Sequence, residues 1–291
     1  MTLKPHNSRI AVIGSNGFIG RNLYAFLIKR NFFVLGFNSE NPIVSENVLN
    51  PEILDMDVII WCASRVNPLT AENRKDLVER DLREWNTVLD FLETSVNPRM
   101  KLIYLSSGGC TYTSEDMPFS EASEALGNNT YGKIKIAMEK ELKSREISST
   151  ILRVANVYGP DQPFGRGQGV IAEWAHAIEK NLDIQVFGSL SSFRDYIFID
   201  DVCEGIVKVA SLSESTAILN LGSGVPTELG RILEIFRTMN FSNPNVQISD
   251  KRVTDRDGYY LDISKLRYLT SWSPNFSIED GIRETIVNKD E

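Results

Sequence analysis

Short apolar runs alternate along the chain with segments in which apolar residues recur every three or four positions. The first run covers residues 10–13, and the segment after it places apolar side chains at Ile19, Leu23, Phe26 and Leu27. A short apolar run is typical of a buried strand, and the second spacing is typical of a helix with one buried face. The beginning of the chain therefore predicts a strand, a tight turn and a helix.

The same alternation continues to about residue 160. Further apolar runs predict four more strands, at residues 32–37, 57–64, 100–105 and 149–154. One long predicted helix has an apolar stripe at Val78, Leu82, Trp85, Leu89 and Leu92, and a second, opening at Thr130, has one at Ile134, Met138 and Leu142. Strands that alternate with helices form parallel sheets covered on both faces. The sequence therefore predicts an α/β fold with a Rossmann-type doubly wound parallel sheet.

The pattern changes after residue 160, where a glycine-rich stretch at residues 165–169 precedes helical and short extended pieces. Two later runs, at residues 194–199 and 218–221, predict further sheet strands. We expect a dinucleotide-binding Rossmann domain and a smaller C-terminal α/β substrate lobe that closes over the cleft. The predicted divisions are residues 1–160, with strands from about 194–222, for the first, and residues 161–193 and 223–291 for the second.

Composition excludes several classes of partner. Lys and Arg total 31 against 39 Asp and Glu, so the net charge is −8, and we expect neither nucleic acid nor an anionic membrane surface as a partner. No apolar segment reaches the roughly 20 residues that span a bilayer, and the first nine residues contain no signal-peptide core. Three widely spaced cysteines and two histidines disfavour a metal site and favour the reducing cytoplasm.

Glycines stand at every third position between the first strand and the first helix, at Gly14, Gly17 and Gly20. Glycine lets the backbone turn sharply and approach a ligand closely, and the free N–H groups at a helix start bind anions. A dinucleotide pyrophosphate is the natural ligand of such a turn. An ordinary strand-to-helix turn is the alternative, and the position of the motif in the first strand–helix unit favours the cofactor.

The end of the second strand bears on the choice between NAD and NADP. NAD-binding folds usually have an Asp or Glu there for the adenosine ribose, and this chain has Asn38. No Arg or Lys lies between Arg30 and Arg65 to neutralise the 2′-phosphate of NADP. NAD is therefore the expected cofactor, and NADP stays open.

Tyr131 and Lys135 are four residues apart on a predicted helix, so their side chains share one face. A phenol, with a reference pKa of about 10, is a weak base at neutral pH. The adjacent ammonium, together with an oxidised nicotinamide, favours the phenolate. Tyr131 is therefore a candidate acid–base group, although the spacing alone is common by chance.

Six motifs follow one another in the order found in a known family. They are Gly14-x-x-Gly17-x-x-Gly20, Ser106-Ser107-Gly108-Gly109, Tyr131-x-x-x-Lys135, Arg153-x-x-Asn156-x-Tyr158-Gly159-Pro160, Gln168-Gly169-Val170-Ile171 and Arg194-Asp195-Tyr196. The chain thereby resembles the extended short-chain dehydrogenase/reductases, and among them the NAD-dependent nucleotide-sugar epimerases and dehydratases of the UDP-glucose 4-epimerase-like group. Residues 261–266, 272–274 and 279–282 are similar to the C-terminal lobe of that group.

The resemblance implies roles for the matching positions. With Asn38, the implied cofactor-binding residues are Gly14, Ser15, Asn16, Gly17, Phe18, Ile19, Gly20, Cys62, Ala63, Ser64, Ser106, Tyr131 and Lys135. The residues implied for a nucleotide-diphosphate sugar are Ser107, Asn156, Gln168, Gly169, Val170, Phe187, Arg194 and Arg252, the two arginines otherwise forming surface ion pairs. Tyr131 and Lys135 are the implied catalytic pair. For the hydrogen bond to the reacting oxygen, Ser107 is the first choice and Ser106 the second.

Several positions depart from the family pattern. Gly108 stands where many relatives have the hydroxyl that assists the tyrosine, and Cys110 stands where one subgroup has threonine. Gly109 and Cys110 replace the Asp-Glu pair with which dehydratases of this branch eliminate water, so dehydration is disfavoured. Asp81 stands where relatives tend to have asparagine.

Three functions stay open. The first is C4 epimerisation of a UDP-hexose, in which NAD takes a hydride, Tyr131 takes the hydroxyl proton, and both return after the 4-keto sugar has rotated. The second is an NAD(P)H-dependent reductase of 4-keto nucleotide sugars that uses the same residues. The third is a cofactor-binding family member without turnover, motivated by Gly108 and Cys110. A homodimer, in which the two long striped helices pair, is a further hypothesis.

Overall fold

The computed structural model describes residues 3–94, 97, 100–165, 167–212, 217–239, 244–252 and 256–287. Its strands are β1 (Arg9–Ile13), β2 (Phe33–Phe37), β3 (Val44–Ser45), β4 (Val48–Leu49), β5 (Val58–Trp61), β6 (Lys101–Ser107), β7 (Ser149–Val154), β8 (Asn156–Tyr158), β9 (Ile184–Phe187), β10 (Phe193–Phe198), β11 (Ala217–Leu221), β12 (Pro226–Glu228) and β13 (Val246–Ser249). Its helices are α1 (Phe18–Lys29), α2 (Lys75–Thr94), α3 (Gly108–Thr111), α4 (Thr130–Lys143), α5 (Val170–Glu179), α6 (Ile199–Ala210), α7 (Leu229–Thr238), α8 (Ser264–Thr270) and α9 (Ile278–Val287).

A six-stranded parallel sheet forms the centre of the fold, in the order β11-β7-β6-β5-β1-β2. β1 pairs with β2 on one side and with β5 on the other, so the chain changes direction across the sheet between these strands. Ligands of open α/β sheets bind outside the carboxyl ends of the strands at such a switch point. The predicted Rossmann-type fold is confirmed, and its cleft is expected where β1 and β5 end.

Apolar helix faces cover both sides of this sheet. On one side Leu23 of α1 and Val202 of α6 lie in the same core as Ile10. On the other side Trp85 of α2 and Leu142 of α4 join a second core. The stripes predicted on the two long helices therefore pack against the sheet of their own chain, and the homodimer stays a prediction.

The two strands predicted late in the chain lie in different sheets. β11 extends the central sheet beside β7, as expected. β10 instead pairs in parallel with β8 and antiparallel with β12, in a three-stranded sheet. Both predicted strands therefore form, one in the central sheet and one in the three-stranded sheet. The division into two domains stays a prediction.

The strand predicted over residues 57–64 is shorter in the structure, where β5 ends at Trp61. Residues 62–64 follow the strand without regular secondary structure. Smaller pairings complete the fold, a parallel pair of β9 with β13 and an antiparallel pair of β3 with β4. Among the described residues, no helix combines the length and the apolar character needed to cross a membrane.

Candidate active site

The glycine turn after β1 is packed so tightly that a side chain does not fit at Gly14 or at Gly20. Gly14 has φ +86°, and a Cβ there would lie 2.8 Å from Cα of Ala63. A Cβ at Gly20 would overlap the carbonyl oxygen of Gly14. The backbone N–H groups of Gly14 and Ser15 donate to the carbonyl of Phe37 at 2.8 and 3.1 Å, which fastens the turn to the end of β2.

The beginning of α1 at this turn suits an anion. Gly17 is the N-cap residue and no side chain caps the helix, which begins at Phe18. The first N–H groups of a helix lack intrahelical partners and carry the positive end of the helix dipole. Together with the glycine cradle, these groups fit the pyrophosphate of a dinucleotide.

Asn38 connects the end of β2 to the glycine turn. Its amide nitrogen donates to Ser15 Oγ at 3.0 Å and to Asn16 Oδ1 at 3.2 Å, while its Oδ1 accepts from the backbone N–H groups of Glu40 and Asn41 at 2.8 and 3.2 Å. A carboxylate here would lose both donors. These hydrogen bonds explain why asparagine stands at position 38. The contact of Asn38 with a ribose stays a prediction.

The segment after β5 touches two parts of the site. The backbone N–H of Cys62 donates to the carbonyl of Ile13 at 2.9 Å, and Ala63 closes on Gly14. Ser64 donates to the carbonyl of Val66 at 2.8 Å, and its hydroxyl lowers the pKa of the Tyr131 phenol. The segment after β5 therefore packs on the glycine turn and acts on the pKa of the candidate acid–base group.

The candidate catalytic pair lies in the first turns of α4. Asn129 caps this helix by accepting from the N–H of Gly132 at 2.8 Å. Lys135 is 4% exposed, and its ammonium donates to the carbonyl of Leu105 at 3.2 Å. The ammonium lies 5.5 Å from the ring centroid of Tyr131, as the four-residue spacing predicts.

Burial dominates the electrostatics of this pair. It raises the pKa of the Tyr131 phenol, which Cys110 and Asp81 raise further and the hydrogen bond with Ser64 lowers. Burial also lowers the pKa of Lys135 to about 8, against the opposing charge of Asp81. Near pH 7 the lysine is therefore mainly charged beside a protonated phenol.

The two serines at the end of β6 have different surroundings. Ser106 donates to Glu139 Oε1 at 2.5 Å, and that carboxylate is paired with Arg153 at 2.6 Å in the interior. Ser107 caps α3 by accepting from the N–H of Cys110 at 3.2 Å. Neighbouring strand residues point to opposite faces. The structure therefore places Ser106 in a buried ion-pair network, and the role of Ser107 at the reacting oxygen stays a prediction.

The glycines that depart from the family pattern make room for a segment remote in sequence. A Cβ at Gly108 would lie 2.7 Å from Leu261 Cδ1, and one at Gly109 would lie 2.6 Å from the hydroxyl of Tyr259. The Tyr259 hydroxyl donates to Asn156 Oδ1 at 3.0 Å. The short helix α3 is thus covered by residues near the C-terminus, which also contact the predicted substrate residue Asn156.

Two arginines come together on the substrate side of the site. Arg194 donates to the carbonyls of Phe193 at 2.8 Å and of Arg256 at 2.7 Å. Arg256 donates to the carbonyls of Tyr112 at 2.7 Å and Ser114 at 3.0 Å. Burial and the charge of Arg194 lower the pKa of Arg256. Neither guanidinium has a carboxylate partner within the described residues, so the pair offers positive charge to an anion.

Arg256 was not predicted as a site residue. It lies four positions after Arg252, in the stretch already matched to the family, and that repetition of arginine is the signal that could have found it. Tyr259 was also missed, and nothing local marks it, because its contacts with Gly109 and Asn156 join distant parts of the chain.

The residues predicted for the nucleotide base lie around Arg252. Its guanidinium carbon is 3.7 Å from the ring centroid of Phe187, and its Nη1 donates to the carbonyl of Gly167 at 2.7 Å. Gly169 is the N-cap of α5, with Gln168 before it and Val170 after it. Arg252 therefore bridges the end of β9 and the loop before α5, and an aromatic face lies beneath it.

Comparison with known proteins agrees with this geometry. A model of the NAD dependent epimerase/dehydratase family matches residues 10–222. The chain is 28% identical over 310 residues to the dTDP-4-dehydro-6-deoxyglucose reductase of Escherichia coli, covering 95% of this chain and 96% of that one. It is 29% identical over 194 residues to the UDP-glucose 4-epimerase of Mycolicibacterium smegmatis, covering 64% and 61%.

The fold also matches a solved enzyme. The UDP-glucose 4-epimerase of Thermus thermophilus, solved as a complex with NAD, has a TM-score of 0.82 at 24% identity, over 96% of this chain and 98% of that one. The family match extends from the glycine turn to the end of the central sheet, and so includes Tyr131 and Lys135.

Proposed function

Because the chain belongs to the NAD dependent epimerase/dehydratase family, we propose that it epimerises a nucleotide-diphosphate sugar, a UDP-hexose first of all, at C4. The predicted family is thereby confirmed, and its nucleotide-sugar enzymes include epimerases and reductases. The observation that carries the proposal is the Tyr131–Lys135 pair, in which the buried lysine ammonium lies 5.5 Å from the centroid of the tyrosine ring.

The cofactor of this family is NAD, which when bound accepts a hydride and returns it. Gly14, Gly17 and Gly20 with the uncapped start of α1 would hold the pyrophosphate, as their packing supports. Lys135 would hold the nicotinamide ribose. The hydrogen bonds of Asn38 with Ser15 and Asn16 stabilise the conformation of the loop that would face the adenosine end of the cofactor.

Tyr131 is proposed to take the proton from the C4 hydroxyl and to return it to the 4-keto oxygen. Burial opposes ionisation of the phenol, so the positive charge of Lys135 is needed to favour the phenolate. Because the sugar is oxidised and then reduced while it stays bound to the protein, no net redox change results.

Positive charge and an aromatic face support a nucleotide-diphosphate substrate. Arg194 and Arg256 present guanidinium groups, whose fork matches phosphate oxygens, next to Asn156 and Tyr259. Phe187 and residues 168–170 would frame the base. UDP is proposed as the nucleotide because the epimerase relative of M. smegmatis acts, by its name, on UDP-glucose.

The decisive experiment measures what the purified protein carries and converts. We expect mass spectrometry of the denatured protein to find NAD, and we expect UDP-galactose to become UDP-glucose without added nucleotide, because the hydride returns to the same sugar. A panel of other UDP-hexoses, with and without an N-acetyl group, identifies the preferred sugar. Purified protein that converts no member of the panel at any NAD concentration contradicts the proposal.

A reductase of 4-keto nucleotide sugars is the second candidate. The reductase relative of E. coli matches nearly the whole of both chains, which favours it. The same Tyr131 would then protonate the 4-keto oxygen once per turnover. Stoichiometric consumption of NADH or NADPH with a 4-keto sugar, and no interconversion of UDP-hexoses, would select this activity.

Ser64→Ala is expected to lower kcat about tenfold, within the range of a lost hydrogen bond to a reacting group. It should also move the limb of the pH profile that reports the phenol to higher pH, because the hydrogen bond with Ser64 lowers the pKa of Tyr131. Profiles of kcat against pH for Ser64→Ala, Ser107→Ala and Ser106→Ala measure this. An unshifted limb in Ser64→Ala, with a shift in Ser107→Ala, would instead assign the role to Ser107.

A homodimer through α2 and α4 is also proposed. Leu82 and Phe91 of α2 and Ile134 of α4 remain only partly buried against their own core, which leaves apolar surface for a second chain. Sedimentation equilibrium of the wild type and of Phe91→Glu tests it.

A further inference from the structure

The substrate side of the site contains one arginine more than a diphosphate needs. The three are Arg194, Arg252 and Arg256. A nucleotide-diphosphate sugar with a neutral hexose carries one negative charge on each phosphate, and two guanidinium groups are enough to match these charges. The third positive charge is therefore not explained by a neutral hexose.

The three guanidinium groups are held at different places along the site. Arg252 lies at the predicted base end, where it donates to the carbonyl of Gly167 at 2.7 Å and stacks on Phe187. Arg194 donates to the backbone carbonyl of Arg256 at 2.7 Å, so its guanidinium lies beside the chain that carries the third arginine. The side chain of Arg256 extends away from both.

Arg256 is bound to the end of the short helix that follows β6. Its Nη1 and Nη2 donate to the carbonyls of Tyr112, the C-cap residue of α3, and of Ser114, at 2.7 and 3.0 Å. Its guanidinium carbon lies 4.7 Å from the ring centroid of Phe119. Ser107 caps the other end of α3, about 6 Å away by the rise of four helical residues. Arg256 is therefore attached to the part of the site where the sugar would react.

The protein itself does not neutralise Arg256. Within the described part of the chain, its side chain donates only to carbonyl oxygens. The neighbouring carboxylates have other partners, since Asp257 pairs with Lys251 at 2.7 Å and the buried Asp195 accepts only from backbone N–H groups and a hydroxyl. Burial and the charge of Arg194 both lower the pKa of Arg256. A half-buried cation without a counter-charge costs free energy, which an anionic ligand would offset.

The arginine is also fixed in a conformation that suits such a ligand. A guanidinium has five N–H donors in a planar fork, and the two carbonyls that bind Arg256 leave donors for an acceptor in the cleft. The fork matches the paired oxygens of a carboxylate or a phosphate. Because the carbonyls already hold the side chain, little rotamer entropy is lost when the anion binds.

We propose that Arg256 binds a third anionic group of the ligand, attached on the sugar side of the diphosphate. In a nucleotide sugar this group is a carboxylate on the hexose, and in a free nucleotide it is the terminal phosphate of a nucleoside triphosphate. Both present oxygens to the same fork. The inference rests on the proposed nucleotide-diphosphate substrate and names a further group on it.

Calorimetry of the NAD-loaded protein with two pairs of ligands tests the inference. UDP-glucuronate differs from UDP-glucose by a carboxylate at C6, and UTP differs from UDP by a phosphate. We expect the wild type to bind the more acidic member of a pair about 30-fold more tightly, the scale of a hydrogen bond between charged groups. Arg256→Gln should lose this preference and bind UDP-glucose within about threefold of the wild type, whereas Arg256→Lys should keep part of it.

Arg231→Gln is the matched control, the same substitution at an exposed arginine of α7 that pairs with Glu234 and Glu279. It should change none of the four affinities. A preference in one pair alone supports the inference and identifies the source of the anionic group as the sugar or the free nucleotide.

Equal affinities within both pairs in the wild type overturn the inference. An equal loss for all four ligands in Arg256→Gln also overturns it, because Arg256 would then bind only the diphosphate. If Arg256→Gln does not fold, a fall in the preference of Arg256→Lys, with UDP-glucose affinity unchanged, decides the matter. A protein with the preference and without turnover would reject the proposed epimerase and keep this inference, and turnover of neutral hexoses without any preference would do the reverse.

Discussion

Tyr131→Phe is expected to lower kcat for the nucleotide sugar about 10³-fold, the scale of a lost acid–base group. The phenol is the group that exchanges the proton, and phenylalanine keeps the volume of its ring, so α4 should keep its Asn129 cap. NAD affinity should stay within about threefold, less than 1 kcal/mol, because the glycine turn binds the pyrophosphate. Turnover and NAD titration by calorimetry, on the same preparation, measure both effects.

Tyr268→Phe is the matched control, since this tyrosine is 87% exposed on α8 and should leave turnover unchanged. Wild-type kcat in Tyr131→Phe would remove the phenol from the mechanism. A wild type that binds NAD and converts nothing would support the cofactor-binding member without turnover. The observed packing of Tyr259 and Leu261 on Gly109 and Gly108 explains the two glycines without such a loss.

The central sheet could be predicted because each of its strands is a local apolar run between turns. The same signal at residues 194–199 predicted a strand correctly but not its partner. β10 pairs with β8, a strand of three residues that begins two positions after the end of β7. The sheet that a strand joins depends on pairing between segments that are remote in sequence. A local pattern of apolar residues does not contain that information.

The candidate site likewise has features that could be predicted from the sequence and features that could not. Gly14, Gly20 and the Tyr131–Lys135 spacing are local motifs, and the structure brings them to one end of the sheet. The hydrogen bond of Tyr259 with Asn156 joins residues that no motif connects. The turn of Ser106 towards Glu139 likewise follows from the buried charge of Arg153, which must be paired once β7 lies inside the sheet. Such contacts follow from packing and could not be predicted from the sequence.

Gly20→Ala is expected to destabilise the fold by about 3 kcal/mol, the upper range for overpacking. The added methyl would overlap the carbonyl oxygen of Gly14 and force α1 away from β1. Since the N–H groups of α1 and the turn form the anion site, NAD affinity should fall about 100-fold in the protein that remains folded. Urea unfolding gives the first quantity and NAD titration below the unfolding transition gives the second.

Gly230→Ala provides the matched control, because Gly230 is also near the start of a helix, α7, and a Cβ there would lie 3.4 Å from the carbonyl oxygen of Leu190, an ordinary contact. Alanine in a helix is favoured over glycine, so this variant should gain up to about 1 kcal/mol and bind NAD normally. Equal stability and equal NAD affinity in Gly20→Ala and Gly230→Ala would contradict the close approach of α1 to the turn. The cofactor would then have to bind by contacts other than the glycine cradle, and the placement of Tyr131 beside it would lose its main support.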